Sequence, residues 1–180
     1  MAPLVGFTGS RTLPASWSSQ VSAVVTSVQV SGRKMAVGCA AGADALVRDA
    51  APGALVFSVS GGVFGSGRSA FARRSAALVQ VVAGSGAGAG FVGFVAGPCP
   101  AGLVPSSSSS ACFQGFGSGS WASLALAAGL GLPVIIFWCS SAPVSLPSSW
   151  GSWVPAAQAG PFASGWRLAP TSGPVQQALF

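Results

Sequence analysis

A parallel α/β sheet covered by helices on both faces is the architecture this 180-residue chain predicts. Two observations carry it. Short unbroken apolar runs read as strands buried on both faces, and the segments between them repeat apolar residues every three or four positions. Strand and helix alternate from Leu4 to Trp138, which is the pattern of a parallel sheet.

Leu4–Phe7 is the first strand and ends at Thr8-Gly9. Ala15–Val28 follows as an amphipathic helix, with Trp17, Val21, Val24, Val25 and Val28 inward and serines outward. Met35–Val37 reads as a second strand closed by Gly38. Asp44–Ala51 reads as a helix that stops before Pro52. Ala54–Val59 is a third strand. Past the glycine-rich turn Gly61–Gly67, Ser69–Val82 sets Phe71, Ala72, Ser75, Leu78, Val79 and Val82 on one helical face. Phe91–Val95 is the fourth strand, and Pro98–Phe116 is a loop containing the serine run Ser106–Ser110. Ser118–Leu130 reads as a helix opened by a glycine-serine turn, and Pro133–Trp138 as a fifth, very apolar strand. Together these make a Rossmann-like three-layer domain with a parallel sheet of about five or more strands over residues 1–139. After Cys139 the periodicity is lost. Residues 140–180, rich in Pro, Ser and Trp, are expected to form an irregular C-terminal extension packing on the domain or on a neighbouring subunit.

Charge is the unusual feature. Only 6% of residues are charged, against about 25% in a typical soluble domain. There is no Glu, His, Tyr or Asn, and all acidity rests on Asp44 and Asp49. From Ser75 to Trp166 the chain carries no charge at all. Disorder does not explain this, because 51% hydrophobic residues is too apolar for a chain that stays solvated. A membrane span is also disfavoured: Ala76–Gly97 is diluted by a Gly/Ser/Ala run, and Leu124–Cys139 is short and holds Pro133. A subunit whose neutral surface is covered by copies of itself fits better, since a monomer so poor in charge exposes large neutral patches.

The net charge of +6 comes from eight cations without a run, so nucleic acid is a disfavoured partner. The four cysteines form no Cys-x-x-Cys pair, there is no His to complete a metal site, and no cofactor is implied. Most of the cysteines are expected to act as small buried hydrophobes. The start MAPLVGFTGSR has no basic stretch before an apolar core, so the expected location is the cytoplasm.

In open α/β sheets the ligand crevice lies outside the carboxyl ends of the strands. Three glycine-bearing turns fall there: Thr8-Gly9-Ser10-Arg11 after the first strand, Gly38 to Asp44 after the second, and Gly117-Ser118-Gly119-Ser120 before the last helix. Small residues at such turns let backbone N–H groups face an anion, and the fork of Arg11 is suited to phosphate. The competing reading is that these turns only connect elements and that Asp44 caps a helix.

The order and spacing of these stretches resemble the SLOG superfamily of nucleotide-binding domains, which includes the DNA-processing protein A family and the LOG phosphoribohydrolases. The likeness rests on strand-Thr8-Gly9-Ser10-Arg11 and on Gly-x-Ala-x-Gly-x-Asp from Gly38 to Asp44. It rests also on Phe71-Ala72-x-Arg74-Ser75-x-x-Leu78-Val79, and on Gly117-Ser118-Gly119-Ser120 with a helix and Gly131-Leu132-Pro133-Val134. It implies that Thr8, Gly9, Ser10, Arg11, Gly38, Gly42, Asp44, Arg74, Ser75, Gly117, Ser118, Gly119 and Ser120 line a nucleotide-phosphate pocket. The LOG hydrolases use a Pro-Gly-Gly-x-Gly-Thr loop and a catalytic Glu, both absent here.

The expected function is therefore a non-catalytic SLOG-like domain that self-assembles into a homo-oligomer or filament and binds a nucleotide-type phosphate ligand. The tail tryptophans Trp150, Trp153 and Trp166 are the expected interface anchors. Hydrolysis of a nucleotide-derived molecule, with Asp44 as the working carboxylate, is the first alternative. Single-stranded DNA binding is the second.

Overall fold

The computed structural model describes residues 2–170. Strand β1 (Leu4–Gly9) leads through a 3-10 turn at Ala15–Trp17 into helix α1 (Ser18–Val30). Then come β2 (Lys34–Gly38), α2 (Ala43–Ala50), β3 (Leu55–Phe57) and α3 (Arg68–Ala83). Next are β4 (Gly90–Val95), a short α4 (Ser109–Cys112), α5 (Gly119–Gly129) and β5 (Val134–Trp138). Two further strands, β6 (Trp153–Pro155) and β7 (Gly165–Leu168), complete the chain as described.

All seven strands share one sheet in the order β3-β2-β1-β4-β5-β7-β6. β1 to β5 run parallel, with Val5 opposite Met35 and Gly90, and Phe94 opposite Phe137. β7 is antiparallel to β5, setting Ile136 opposite Trp166, and β6 is antiparallel to β7. Helices α1 and α2 pack together over a cluster containing Val5, Phe7, Val37, Phe94 and Phe137. Helices α3 and α5 pack together over the opposite cluster, containing Ala36, Phe91, Ile136, Leu78 and Leu124. The period of two along each strand divides these clusters: successive side chains point to opposite faces, and each face meets helices.

Local sequence accounts for these elements. In α1 the buried residues Val21, Val24, Val25 and Val28 recur at the helical period, and the chain leaves the helix at Ser31-Gly32, where Gly32 has φ 75°. β4 and β5 are buried along their whole length, as the uninterrupted runs GFVGFV and VIIFW require. Each such side chain contributes about 1.5–3 kcal/mol by leaving water. The rings of Phe94 and Phe137 stack with centroids 5.0 Å apart, locking β4 to β5 on the α1 face.

Two expectations need correction. The extension after Cys139 is not wholly irregular: over residues 140–170 β7 and β6 enlarge the parallel sheet into a mixed one, while residues 171–180 lie outside the described residues. Strands of four and three residues are too short to leave a period in the sequence. The serine run is not all loop either. Ser109–Cys112 is one helical turn, whose cap Ser108 accepts a hydrogen bond from the Ala111 N–H at 3.4 Å. Among the described residues no helix is long and apolar enough to cross a membrane; the two apolar stretches are α3 to β4 and α5 to β5.

Trp150 also departs from its expected place. It is buried within its own chain, its indole N–H donating to the Leu103 carbonyl at 2.8 Å and its ring meeting Trp121 edge-on at 5.6 Å. Trp153 lies half-buried beside it and donates to the Pro147 carbonyl at 3.0 Å, while Trp166 sits half-buried in β7. These aromatics hold the extension to its own sheet.

Candidate functional site

The order of the sheet locates the site. From β1 the chain steps outward to β2 and β3, then crosses back to β4 on the other side of β1. Crossover helices therefore leave β1 and β4 toward opposite faces, and a crevice opens between their carboxyl ends. It has a volume of about 330 Å³ and is lined by Ser10, Thr12, Val95, Ala96, Gly97, Pro98, Ser118, Ser120 and Trp121.

Each wall is fixed by short-range chemistry. Ser10 continues β1 pairing, its N–H donating to the Phe94 carbonyl at 2.8 Å. The Ser10 hydroxyl oxygen accepts from the Thr12 N–H at 3.3 Å, so Ser10-Arg11-Thr12 forms a hydroxyl-closed turn. On the other wall Ser118 caps α5, its side chain accepting from the Trp121 N–H at 3.3 Å. The first intrahelical bond runs from the Ala122 N–H to the Ser118 carbonyl, which leaves the Gly119 and Ser120 N–H groups ahead of the helical ladder. The Ser120 hydroxyl donates to the Gly9 carbonyl at 2.6 Å and ties α5 to the end of β1. Trp121 closes the frame, its indole N–H donating to the Gly97 carbonyl at 2.9 Å. The result is a neutral cradle of hydroxyls and backbone N–H groups at the positive end of a helix, which is suited to an anion.

A second constellation lies beside it, at the carboxyl end of β2. Gly42, with φ 68°, passes directly over the Ser10–Arg11 backbone and starts α2; a side chain there has neither the conformation nor the space. Asp44, in the first turn of α2, accepts from the Ala40 N–H at 3.2 Å and pairs with Arg74 of α3 at 3.4 Å. Both side chains are more than nine-tenths buried. Burial raises the Asp44 carboxyl above its ordinary value of 3.8, although Arg74, the Ala40 N–H and Arg48 all pull it down. Arg48 spends its guanidinium on the Gly38 and Ala40 carbonyls, at 2.7 and 3.0 Å.

The thirteen residues expected in one pocket thus divide. Ser10, Ser118 and Ser120 line the crevice, with Gly9 and Gly119 supplying its backbone and Thr8 in β1 below. Gly117, exposed at φ 88°, turns the chain into the Ser118 cap. Gly38, Asp44 and Arg74 belong to the buried pair, with Gly42 above them. Arg11 lies exposed with its guanidinium carbon 5.2 Å from the centre of the Phe71 ring, one helical turn before half-buried Ser75. Thr12, Gly97 and Trp121 are wall residues that sequence reading overlooked. The Ser10-x-Thr12 spacing is a signal for the turn that places the first of them.

Nothing in the site prepares a strong nucleophile. Burial raises the thiols of Cys99 and Cys139 to about 11 and about 12, and neither lines the crevice. Among the described residues no three His, Cys, Asp or Glu side chains gather to hold a metal. Comparison with protein-family models, with curated proteins and with solved structures found no match to this chain.

Proposed function

We propose that this chain is a non-catalytic Rossmann-like domain of SLOG type that holds a nucleotide-type phosphate ligand in the crevice between β1 and β4 and assembles with copies of itself. The strand order 3-2-1-4-5 over β1 to β5 supports the Rossmann-like reading. The observation that carries the ligand reading is the cradle itself: the Ser10 and Ser118 hydroxyls and the leading N–H groups of α5 converge at the switch point, with Arg11 next in the chain to Ser10. A phosphate oxygen accepts from such donors, and the helix dipole favours its charge.

Binding is favoured over turnover because both carboxylates of the chain lie away from the crevice. Asp44 is held by Arg74, and Asp49 lies near the far end of α2. General acid–base catalysis needs a group within reach of the reacting atoms. Self-assembly draws support from exposed Val81, Val104, Leu130 and Val144, all within the uncharged stretch.

Gly97→Leu tests the ligand reading. A Cβ at Gly97 meets nothing within 4 Å, so the larger side chain fills the crevice without disturbing the fold. Titration calorimetry with adenosine diphosphate is expected to give heat with wild type and none with the variant. Equal heats for both, or none with wild type, refute it.

A further inference from the structure

We infer that the loop between β3 and α3 is a docking surface for an anionic lipid bilayer. Val63 at its tip is 83% exposed, matched among the large hydrophobics of the described residues only by Val30, which ends α1 at the opposite edge of the sheet. The loop is built to hold Val63 out. Gly62, Gly65 and Gly67 have φ of 71°, 79° and 71°, so the backbone itself and not side-chain packing sets its projection. Arg73 donates through Nε to the Phe64 carbonyl at 2.7 Å and braces the tip from α3.

Cations lie along the helix that follows that tip. Arg68 and Arg73 are exposed on the first turns of α3, and Arg11 reaches the same helix over Phe71. No acidic residue opposes them. Asp44 is buried in its ion pair, Asp49 lies toward the other edge of the sheet, and the chain has no further carboxylate side chain. An exposed aliphatic side chain on the same face as the cationic start of α3 complements a partner with an anionic face over an apolar interior. A bilayer carrying anionic headgroups has that structure: arginines meet lipid phosphates and carboxylates, and Val63 enters the boundary below. A nucleic acid offers the charge, but its apolar surface lies within the grooves and stacked bases rather than directly beneath the phosphates, where that of a bilayer lies.

Arg11 is shared with the proposed crevice ligand, so the test rests on Arg68 and Val63, neither of which lines the crevice, and it uses the whole chain. Co-sedimentation is measured with vesicles of phosphatidylcholine alone and of phosphatidylcholine with phosphatidylserine. Wild type is expected to pellet only with the anionic vesicles, and less as salt is raised. Arg68→Ala is expected to weaken partitioning about fivefold, the worth of one arginine near a charged surface. Val63→Ser is expected to weaken it roughly fivefold or more through lost apolar burial. Both positions are exposed, so circular dichroism is expected to match wild type. Failure of wild type to pellet overturns the inference. So does indifference to Val63→Ser, which leaves only diffuse charge attraction. Binding to a poly-dT oligonucleotide in place of vesicles assigns the patch to nucleic acid and overturns it too.

Discussion

Arg74 Nη1 lies 3.4 Å from Asp44 Oδ2 in a pair that joins α3 to α2 beneath the end of β2, with both side chains buried. Gly38 leaves the space for it: a Cβ there coincides with the Arg74 guanidinium. The same residues that read as ligand contacts in the sequence are here a structural clamp beside the crevice. A buried pair of this kind contributes little net stability but is costly to break on one side.

That asymmetry gives the first prediction. Arg74→Met leaves the Asp44 carboxylate buried without its cation, and is expected to cost about 3–5 kcal/mol at neutral pH. The folded-state value of Asp44 already stands above 3.8, with burial outweighing Arg74. As pH rises from there, the unfolded chain loses this proton before the folded chain does, so stability falls through that window. Removing Arg74 widens the window and steepens the fall, and acid restores the variant. Denaturant melts across the acidic range check the sign; a flat profile for Arg74→Met contradicts it.

Most of the fold was legible, and for particular reasons. Val134 to Trp138 is buried throughout, and an unbroken apolar run has no other comfortable place in an α/β chain. α1 announced itself through Val21, Val24, Val25 and Val28. β6 and β7 stayed hidden because Gly165–Leu168 owes its strand conformation to pairing with β5, a long-range contact with no local signature, and Trp153–Pro155 pairs in turn with β7. The site was half legible. Glycine turns at strand ends marked the edge where the crevice opens, but spacing along the chain does not separate residues that face the crevice from those that face each other. Asp44 and Arg74 differ from Ser118 and Ser120 only in three dimensions.

Arg11, between the crevice residues Ser10 and Thr12 in the chain, tests the proposed phosphate contact. Its guanidinium rests on Phe71, an exposed contact worth about 0.5–1 kcal/mol, so a bound phosphate at hydrogen-bond strength can draw it away. Arg11→Ala is expected to weaken adenosine diphosphate binding on the order of tenfold to a hundredfold, the worth of one charge-assisted hydrogen bond. The thermal midpoint is expected to stay within that of a neutral surface change. Calorimetry that shows unchanged affinity removes Arg11 from the site.

Trp150 measures how firmly the extension belongs to the domain. Its ring packs against Trp121, which lines the crevice, and its N–H holds the Leu103 carbonyl. Trp150→Ala is expected to cost about 3–5 kcal/mol in denaturant unfolding, as for other buried tryptophans. A loss below about 1 kcal/mol, within the range of surface substitutions, contradicts that role.

Self-assembly rests on what the surface lacks. Burying Trp150 inside the protomer removes one expected anchor, yet it leaves the charge problem in place. Between Ser75 and Trp166 no charged side chain keeps copies apart, only neutral polar groups such as serine and glutamine, and Val81, Val104 and Val144 stand 43%, 49% and 50% exposed. Apolar area covered between copies gains about 25 cal/mol per Å², and a stable interface buries about 1,600 Å² in total. Such contacts are strengthened by sulfate and indifferent to screening by chloride, unlike contacts made through the eight cations. Light scattering at low micromolar concentration is therefore expected to give a multiple of 17.5 kDa that persists at high chloride. A closed interface yields one defined mass, and a head-to-tail one yields a concentration-dependent series. A monodisperse particle of 17.5 kDa at low and high salt rules assembly out.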